Sequence, residues 1–300
     1  MPTPERDISD ILETLDIAGR EGPIRTNMQE TAVEALEDGK VLFFPRLAFD
    51  LSPEESGFLR PAVAEKNAKN VSLDPATGVL KHATLPAEDQ AKLASMLRRY
   101  SDYAQKLLGM VLAPYAAAVE IGRTSFRPVE THGRSSSPRK DDTRLHVDAF
   151  PSTPLAGKRI LRMFTNINPR GEARHWRLGA PFEQVASTFL GKIPEQWPGS
   201  AWMLQTFGVT KTHRTAYDHT MLYIHNIMKS DDIYQQTVMQ SEFRFPAGST
   251  WIVYTDRVSH AAMAGQHVLE QTFYLPVSAM TNPSKAPLKI LERLSGRPLI

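Results

Sequence analysis

Hydrophobic positions recur at helical spacing in two stretches of the first third of the chain. Within residues 8 to 39, Ala32, Val33 and Leu36 share one helical face and Gly39 supplies a stop, so the stretch reads as largely helical. From Ala87 to Leu112, the positions Leu93, Met96, Leu97, Tyr100, Tyr103, Leu107 and Val111 form one apolar stripe. That is the pattern of a scaffold helix laid on a sheet. Between the two, Val41-Leu42-Phe43-Phe44-Pro45 is a short apolar run closed by proline, as in a buried strand.

After Pro114 the period shortens. Strand-like runs occupy residues 118 to 129, 144 to 149, 158 to 167, 241 to 246, 250 to 255 and 267 to 277, with Gly and Pro between them. Their irregular spacing favours a barrel or jelly roll over βαβ units. Residues 178 to 238 read as a helical or irregular insertion. The polar, basic stretch His132 to Asp142 (HGRSSSPRKDD) suits a mobile lid as well as an ordinary solvated loop. The expected fold is α+β, mainly β. It is one domain over 1 to 300, with a helical support layer over 1 to 114 and a double-stranded β-helix core from about 115 to 280.

Composition narrows the chemistry. With no cysteine in 300 residues, disulfides, zinc-thiolate sites, iron–sulfur clusters and thiol nucleophiles are excluded, and a metal must use His, Asp or Glu. Lys+Arg number 35 against 33 Asp+Glu, so the formal charge of +2 supplies no general affinity for nucleic acid. The N-terminal MPTPERDISDILETLDIAGREG is rich in acidic residues and lacks an apolar signal core, and no run approaches the roughly 18 apolar residues of a membrane span. The chain therefore reads as cytoplasmic. Peripheral contact with the inner membrane remains open to it, since that needs only a basic or amphipathic patch.

In Arg144-Leu145-His146-Val147-Asp148, strand alternation would turn His146 and Asp148 to one side, where an imidazole and a carboxylate suit a divalent metal such as iron(II). By itself this short motif, among nine histidines, also fits a surface His and a capping Asp. Far downstream, the turn and apolar strand Phe245 to Asp256 precede Arg257-Val258-Ser259-His260, then a turn at Gly265 and a closing strand from His267. Taken together these parts resemble the Fe(II)/2-oxoglutarate-dependent dioxygenases, in which His-x-Asp is joined by a distal His near the last strands. The resemblance implies iron ligands His146, Asp148 and His260, the last two 112 positions apart, and preferred over His267 because His260 follows the penultimate strand. It also implies O2 and 2-oxoglutarate as co-substrates and ascorbate as a reductant for oxidised iron.

That family needs a cation for the far carboxylate of 2-oxoglutarate, usually an Arg or Lys shortly beyond the distal His. Here the stretch QHVLEQTFYLP offers Gln271 instead. Other candidates are Arg162, on one strand face with Phe164 and Asn166, and Arg174 in PRGEARHWRLG. The whole chain is similar to the bacterial Kdo 3-hydroxylases through TRLHVDAFPSTPLAGKRILRMFTNINP, GEARHWRLG and DRVSHAAMAGQH. This implies hydroxylation of Kdo, an acidic sugar on lipid A, with Arg127, Arg144, Arg162, Arg174 and Trp176 facing the anionic substrate. Arg123 and Arg177 fit a basic outer surface better. Three other readings stay open at this point. They are a protein- or acyl-lipid-directed oxygenase, a metal-dependent sugar isomerase, and a non-catalytic sugar-binding jelly roll.

Overall fold

Period-two alternation and one long amphipathic helix account for most of the architecture. The computed structural model describes residues 5–17, 24–133, 137–197 and 199–300. Its strands are β1 (Leu12–Thr14), β2 (Val41–Phe44), β3 (Val71–Leu73), β4 (Leu80–Lys81), β5 (Glu120–Arg127), β6 (Arg159–Asn166), β7 (Arg174–Leu178), β8 (Ser241–Phe245), β9 (Thr250–Tyr254), β10 (His260–Ala264) and β11 (Val268–Leu275). Its helices are α1 (Thr26–Glu37), α2 (Pro53–Ser56), α3 (Ala87–Val111), α4 (Phe182–Phe189), α5 (Ser200–Thr206), α6 (Ala216–Ser230), α7 (Asp232–Thr237) and α8 (Pro287–Ser295).

The major sheet runs β1-β2-β9-β6-β11-β5-β3-β4 and the minor sheet β10-β7-β8, the two faces of a jelly roll. In β6, Leu161 and Met163 turn outward and pack with Leu107, Leu108 and Val111 of α3 and with Ala32, Val33 and Leu36 of α1. Arg162 and Phe164, on the opposite face, point between the sheets. There an aromatic cluster joins the sheets: Phe245 stacks on Trp251 with centroids 4.1 Å apart, and Trp176 meets Phe164 edge-on at 5.2 Å. Each fully buried side chain of this size contributes about 1.5–3 kcal/mol, so the aromatic fill is a large part of the adhesion between sheets.

The expected insertion is helical, α4 to α7. With α8 it buries Leu145, Val147 and Ala261 under Phe182, Phe189, Met221 and Leu288. Helix α6 opens on a capping box in which Thr215 Oγ1 accepts from Asp218 N and Asp218 caps Thr215 N. Asp218 also accepts from Leu155 N and Ala156 N, which moors the loop after the His-x-Asp run to the insertion.

Two local expectations fail. Residues 8 to 39 are not one helix, because Leu12–Thr14 pair in parallel with Val41–Phe43 and only Thr26–Glu37 is helical; residues 18–23 lie outside the described residues. The apolar Ile11 and Leu12 are sheet-edge core and not part of a helical stripe. No regular strand covers residues 144 to 149, where one isolated bridge joins His146 to His260. Of the loop 132 to 142, residues 134–136 lie outside the described residues, and Pro138–Lys140 form a 3-10 turn.

Candidate metal centre and its pocket

His146 N donates to His260 O at 3.0 Å, and His260 N donates to His146 O at 2.9 Å. Antiparallel residues that exchange both bonds stand opposite one another with side chains on the same side. From this point alternation sends Leu145 and Val147, each 0% exposed, into the helical cluster, and turns His146 and Asp148 into the barrel. Asp148 N is fixed by Thr255 O at 2.7 Å, in the turn that leads to His260. As a result one ligand atom from each of His146, Asp148 and His260 lies within 4.8 Å of the others.

The state of these groups follows from their partners. His146 Nδ1 lies 2.7 Å from Arg144 O, and His260 Nδ1 lies 2.8 Å from Val258 O. A carbonyl only accepts, so both imidazoles carry hydrogen on Nδ1 and present a bare Nε2 lone pair. Burial, and for His146 also the neighbouring His260, pushes both below the ordinary histidine pKa, which favours the neutral, ligating form. Burial alone would raise the Asp148 carboxyl, but the Arg162 guanidinium and the two imidazoles hold it far below the usual carboxylate range. Asp148 Oδ2 is 3.2 Å from Arg162 Nη2 yet takes no well-directed hydrogen bond, so a lone pair is left over. Two bare imidazole nitrogens and one unsatisfied carboxylate oxygen fit a divalent ion of the two-His, one-carboxylate class.

Trp176 stacks on His260 with centroids 5.1 Å apart, and His225 of α6 meets His146 edge-on at 5.1 Å. His225 Nδ1 donates to Val147 O at 2.7 Å, so the ring is held to the back of the His-x-Asp run and is not part of the three-residue cluster. His267 stacks on Phe126, outside that cluster.

The three ligands line a cavity of about 210 Å³ with Arg127, Arg162, Arg174, Trp176, Lys69 and Asp142. That is smaller than the roughly 300–1,000 Å³ of a drug-sized ligand's pocket, so a large substrate presents only its reacting end. Its charges are arranged around Glu270, which the sequence reading did not single out. On β11, Glu270 lies opposite Ser125 of β5 and Phe164 of β6. Arg127 Nε donates to its Oε2 at 2.7 Å, and Arg162 Nη1 is 3.0 Å from its Oε1. Burial pushes Glu270 up, and the two guanidinium groups outweigh it to hold the carboxyl ionised.

Arg174 differs. Its Nη1 donates to Thr131 Oγ1 at 2.7 Å and to Gly265 O, both neutral, and among the described residues no carboxylate lies within ion-pair distance of it. Burial and then Arg127 push its pKa down to about 10. Gly265 sits at φ +104°, and a Cβ there would fall 3.0 Å from Ala173 O and 3.1 Å from Arg174 Cα. The close approach that seats Arg174 therefore needs glycine.

Two expected site residues are elsewhere. Gln271 faces away from the cavity: Thr124 Oγ1 donates to its Oε1 at 2.6 Å, and its Nε2 donates to Gly122 O and Thr272 O. Alternation along β11 gives Glu270 the inner face and Gln271 the outer one, so Gln271 is a buried structural amide and not a cofactor contact. Arg144 pairs with Asp232 of α7 and is absent from the cavity wall, and it reaches the centre only through its carbonyl on His146. Arg123 is exposed, as expected, and Arg177 donates to Thr143 O at 2.6 Å. The reading also missed Lys69, Asp142 and Lys229: Lys69 Nζ is 2.7 Å and Lys229 Nζ 3.6 Å from Asp142 Oδ1 at the edge of the cavity.

A family model described as 3-deoxy-D-manno-oct-2-ulosonic acid (Kdo) hydroxylase matches residues 21–298. The chain belongs to the Kdo hydroxylase family. Among solved structures it is similar to the Kdo hydroxylase KdoO, a non-heme Fe(II) alphaketoglutarate-dependent dioxygenase, in complex with alphaketoglutarate and Fe(III). The two chains are 46% identical over 97% of each, with a TM-score of 0.93. The same relative with cobalt(II) gives 46% identity and a TM-score of 0.93 over 96% of this chain and 97% of that one. No curated protein matches the chain. The fold, a 2-oxoglutarate oxygenase jelly roll, is shared with that relative.

Proposed function

We propose that this chain is an Fe(II)- and 2-oxoglutarate-dependent hydroxylase that oxidises Kdo, at its 3-position, in Kdo-lipid A. The observation that carries the reading is the trio His146, Asp148 and His260, with Nε2 bare on both imidazoles, beside a cluster of buried arginines. When bound, iron and 2-oxoglutarate supply the oxidising power: 2-oxoglutarate and O2 are converted to succinate and carbon dioxide as a substrate C–H becomes C–OH.

The chain's own residues do the rest. His146, Asp148 and His260 would hold the ion, and all three side chains line the cavity. Arg174, whose hydrogen bonds go only to neutral acceptors, is the cation best placed to take the far carboxylate of 2-oxoglutarate. Among the described residues the buried Trp176 Nε1 and Arg162 Nε have no hydrogen-bond partner, and they offer further donors. Glu270 fixes Arg127 and Arg162 in position before any ligand arrives, which limits the reorganisation that binding requires. Lys69 and Lys229 add positive charge at the edge of the cavity, where an anionic sugar would sit.

The test is turnover of Kdo-lipid A with iron(II), 2-oxoglutarate, O2 and ascorbate as reductant. A product one oxygen heavier, formed in step with succinate, is expected. Succinate released without any gain in substrate mass would reject the substrate, and no succinate at all would reject the oxygenase.

A further inference from the structure

Eleven large hydrophobic side chains are exposed among the described residues, and five of them lie between Trp197 and Val209. Trp197 is 81% exposed, Trp202 65%, Met203 52%, Phe207 75% and Val209 54%. This concentration contrasts with the scattered single residues an ordinary surface shows. The two tryptophans buried in the aromatic core, Trp176 and Trp251, account for the rest of that residue type.

Helix α5 explains how they come together. Ala201 is buried and Leu204 half-buried, so that side of the helix faces the protein. Trp202 and Met203, with Phe207 one turn beyond Met203, are left on the other side. Thr210, buried to 2% exposure, ends the segment. Immediately beyond come Lys211 and His213, both exposed, and Arg214, and from Gln196 to Thr215 the sequence holds no Asp or Glu. Large aromatic and thioether side chains beside cations, with acids excluded, match the boundary between acyl chains and anionic headgroups.

The patch is also tethered to the metal centre. Lys211 N donates to Ser152 O at 3.0 Å, Thr212 Oγ1 to Pro154 O at 3.4 Å and Arg214 Nη2 to Pro151 O at 2.5 Å. Residues 151 to 154 begin three positions after Asp148. The segment is thus joined by one short loop to the residues that would hold the iron. Among the described residues no helix is long and apolar enough to cross a membrane.

We propose that helix α5 and the residues up to Val209 are a membrane-inserting element: Trp202, Met203 and Phe207 enter the acyl–headgroup boundary of an anionic bilayer while Lys211 and Arg214 contact its phosphates. The proposal rests on the lipid-linked substrate named above only for its biological purpose. Vesicle binding needs neither metal nor turnover, so the two readings fail separately.

The experiment is flotation of the full chain with vesicles of phosphatidylglycerol and phosphatidylethanolamine, and with vesicles of phosphatidylcholine alone. The wild type should float with the anionic vesicles, with a blue shift of tryptophan emission. Trp202→Ser with Phe207→Ser should lower the bound fraction about tenfold or more, and Lys211→Glu should weaken it in low salt. Both variants should keep the wild-type Tm and the wild-type rate on a deacylated, water-soluble Kdo substrate. Equal binding to phosphatidylcholine would overturn the anionic assignment. Undiminished flotation of the double variant would overturn the element itself. A wild-type dimer that Trp202→Ser dissociates, with no vesicle binding, would make the patch a contact between copies of the chain and also overturn it.

Discussion

His146 and His260, 114 positions apart in the sequence, are each other's backbone hydrogen-bond partner. The spacing of the two imidazoles is therefore set by a two-bond bridge and not by the flexibility of the side chains. Trp176 stacks on one ring and His225 abuts the other, so neither is free to turn away.

Replacing a ligand should empty the site without unfolding the chain. His260→Ala is expected to weaken iron binding by more than the roughly 10–100-fold that loss of a supporting partner costs, and to abolish succinate formation. Metal analysis after gel filtration checks this. Full iron occupancy in His260→Ala would place the centre elsewhere.

Arg174 and Gln271 make a discriminating pair. Arg174→Ala removes a charge-assisted hydrogen bond, a loss of about 1.5–3 kcal/mol, so KM for 2-oxoglutarate should rise about ten- to a hundredfold. Gln271→Leu should leave that KM unchanged and lower stability by about 1–3 kcal/mol, because Thr124 Oγ1 and the Gly122 carbonyl lose their partner. A raised KM in Gln271→Leu would contradict the outward face assigned to it.

Glu270→Gln leaves Arg127 and Arg162 buried beside a neutral amide. Removal of one side of a buried ionic cluster costs about 3–5 kcal/mol, and urea unfolding should show a loss of that order. Unchanged stability would mean that water, and not Glu270, satisfies the two guanidinium groups.

Acid should destabilise the metal-free protein in two stages. Burial holds His146, His260 and His225 below their ordinary pKa. As pH falls through about 6.5 the unfolded chain takes up protons that the folded chain refuses, at about 1.4 kcal/mol per pH unit for each fully titrating group. A second loss begins near pH 4, because Asp148 and Glu270, held low against the effect of burial by Arg162 and Arg127, stay ionised in the fold while their unfolded counterparts protonate. Tm measured from pH 8 downward should be level, then fall below about 6.5 and steepen below about 4. A Tm level down to pH 5 would show that the buried imidazoles accept protons in place.

The parts legible in the sequence were those written by periodicity. The stripe from Leu93 to Val111 specified α3, and alternation about Leu161 and Met163 put Arg162 on the inner face. The His-x-Asp run was legible although it forms no strand, since one bridge at His146 is enough to fix its alternation. Short strands escaped. Trp176 and Arg174 in β7 carry visible chemistry, but Arg174, His175 and Arg177 make three polar residues in a segment of five, two of them adjacent, which is too short and too irregular an alternation to separate strand from loop. Glu270 is hidden in the sequence because an acid stands where the family pattern puts a positive residue after His260. The acid stands on the inner face there and draws its cations from the strands on either side, a relationship between three strands that linear order does not display.

Leu145 and Val147 lie under the helices of the insertion, while their neighbours His146 and Asp148 would bind the ion. The insertion is consequently a poor candidate for grafting or deletion by an engineer seeking a new substrate. Any exchange of α4 to α7 that repacks this contact will be read out first as lost iron and only afterwards as altered selectivity, so libraries aimed at specificity should leave the apolar underside of these helices intact and vary the faces turned away from it.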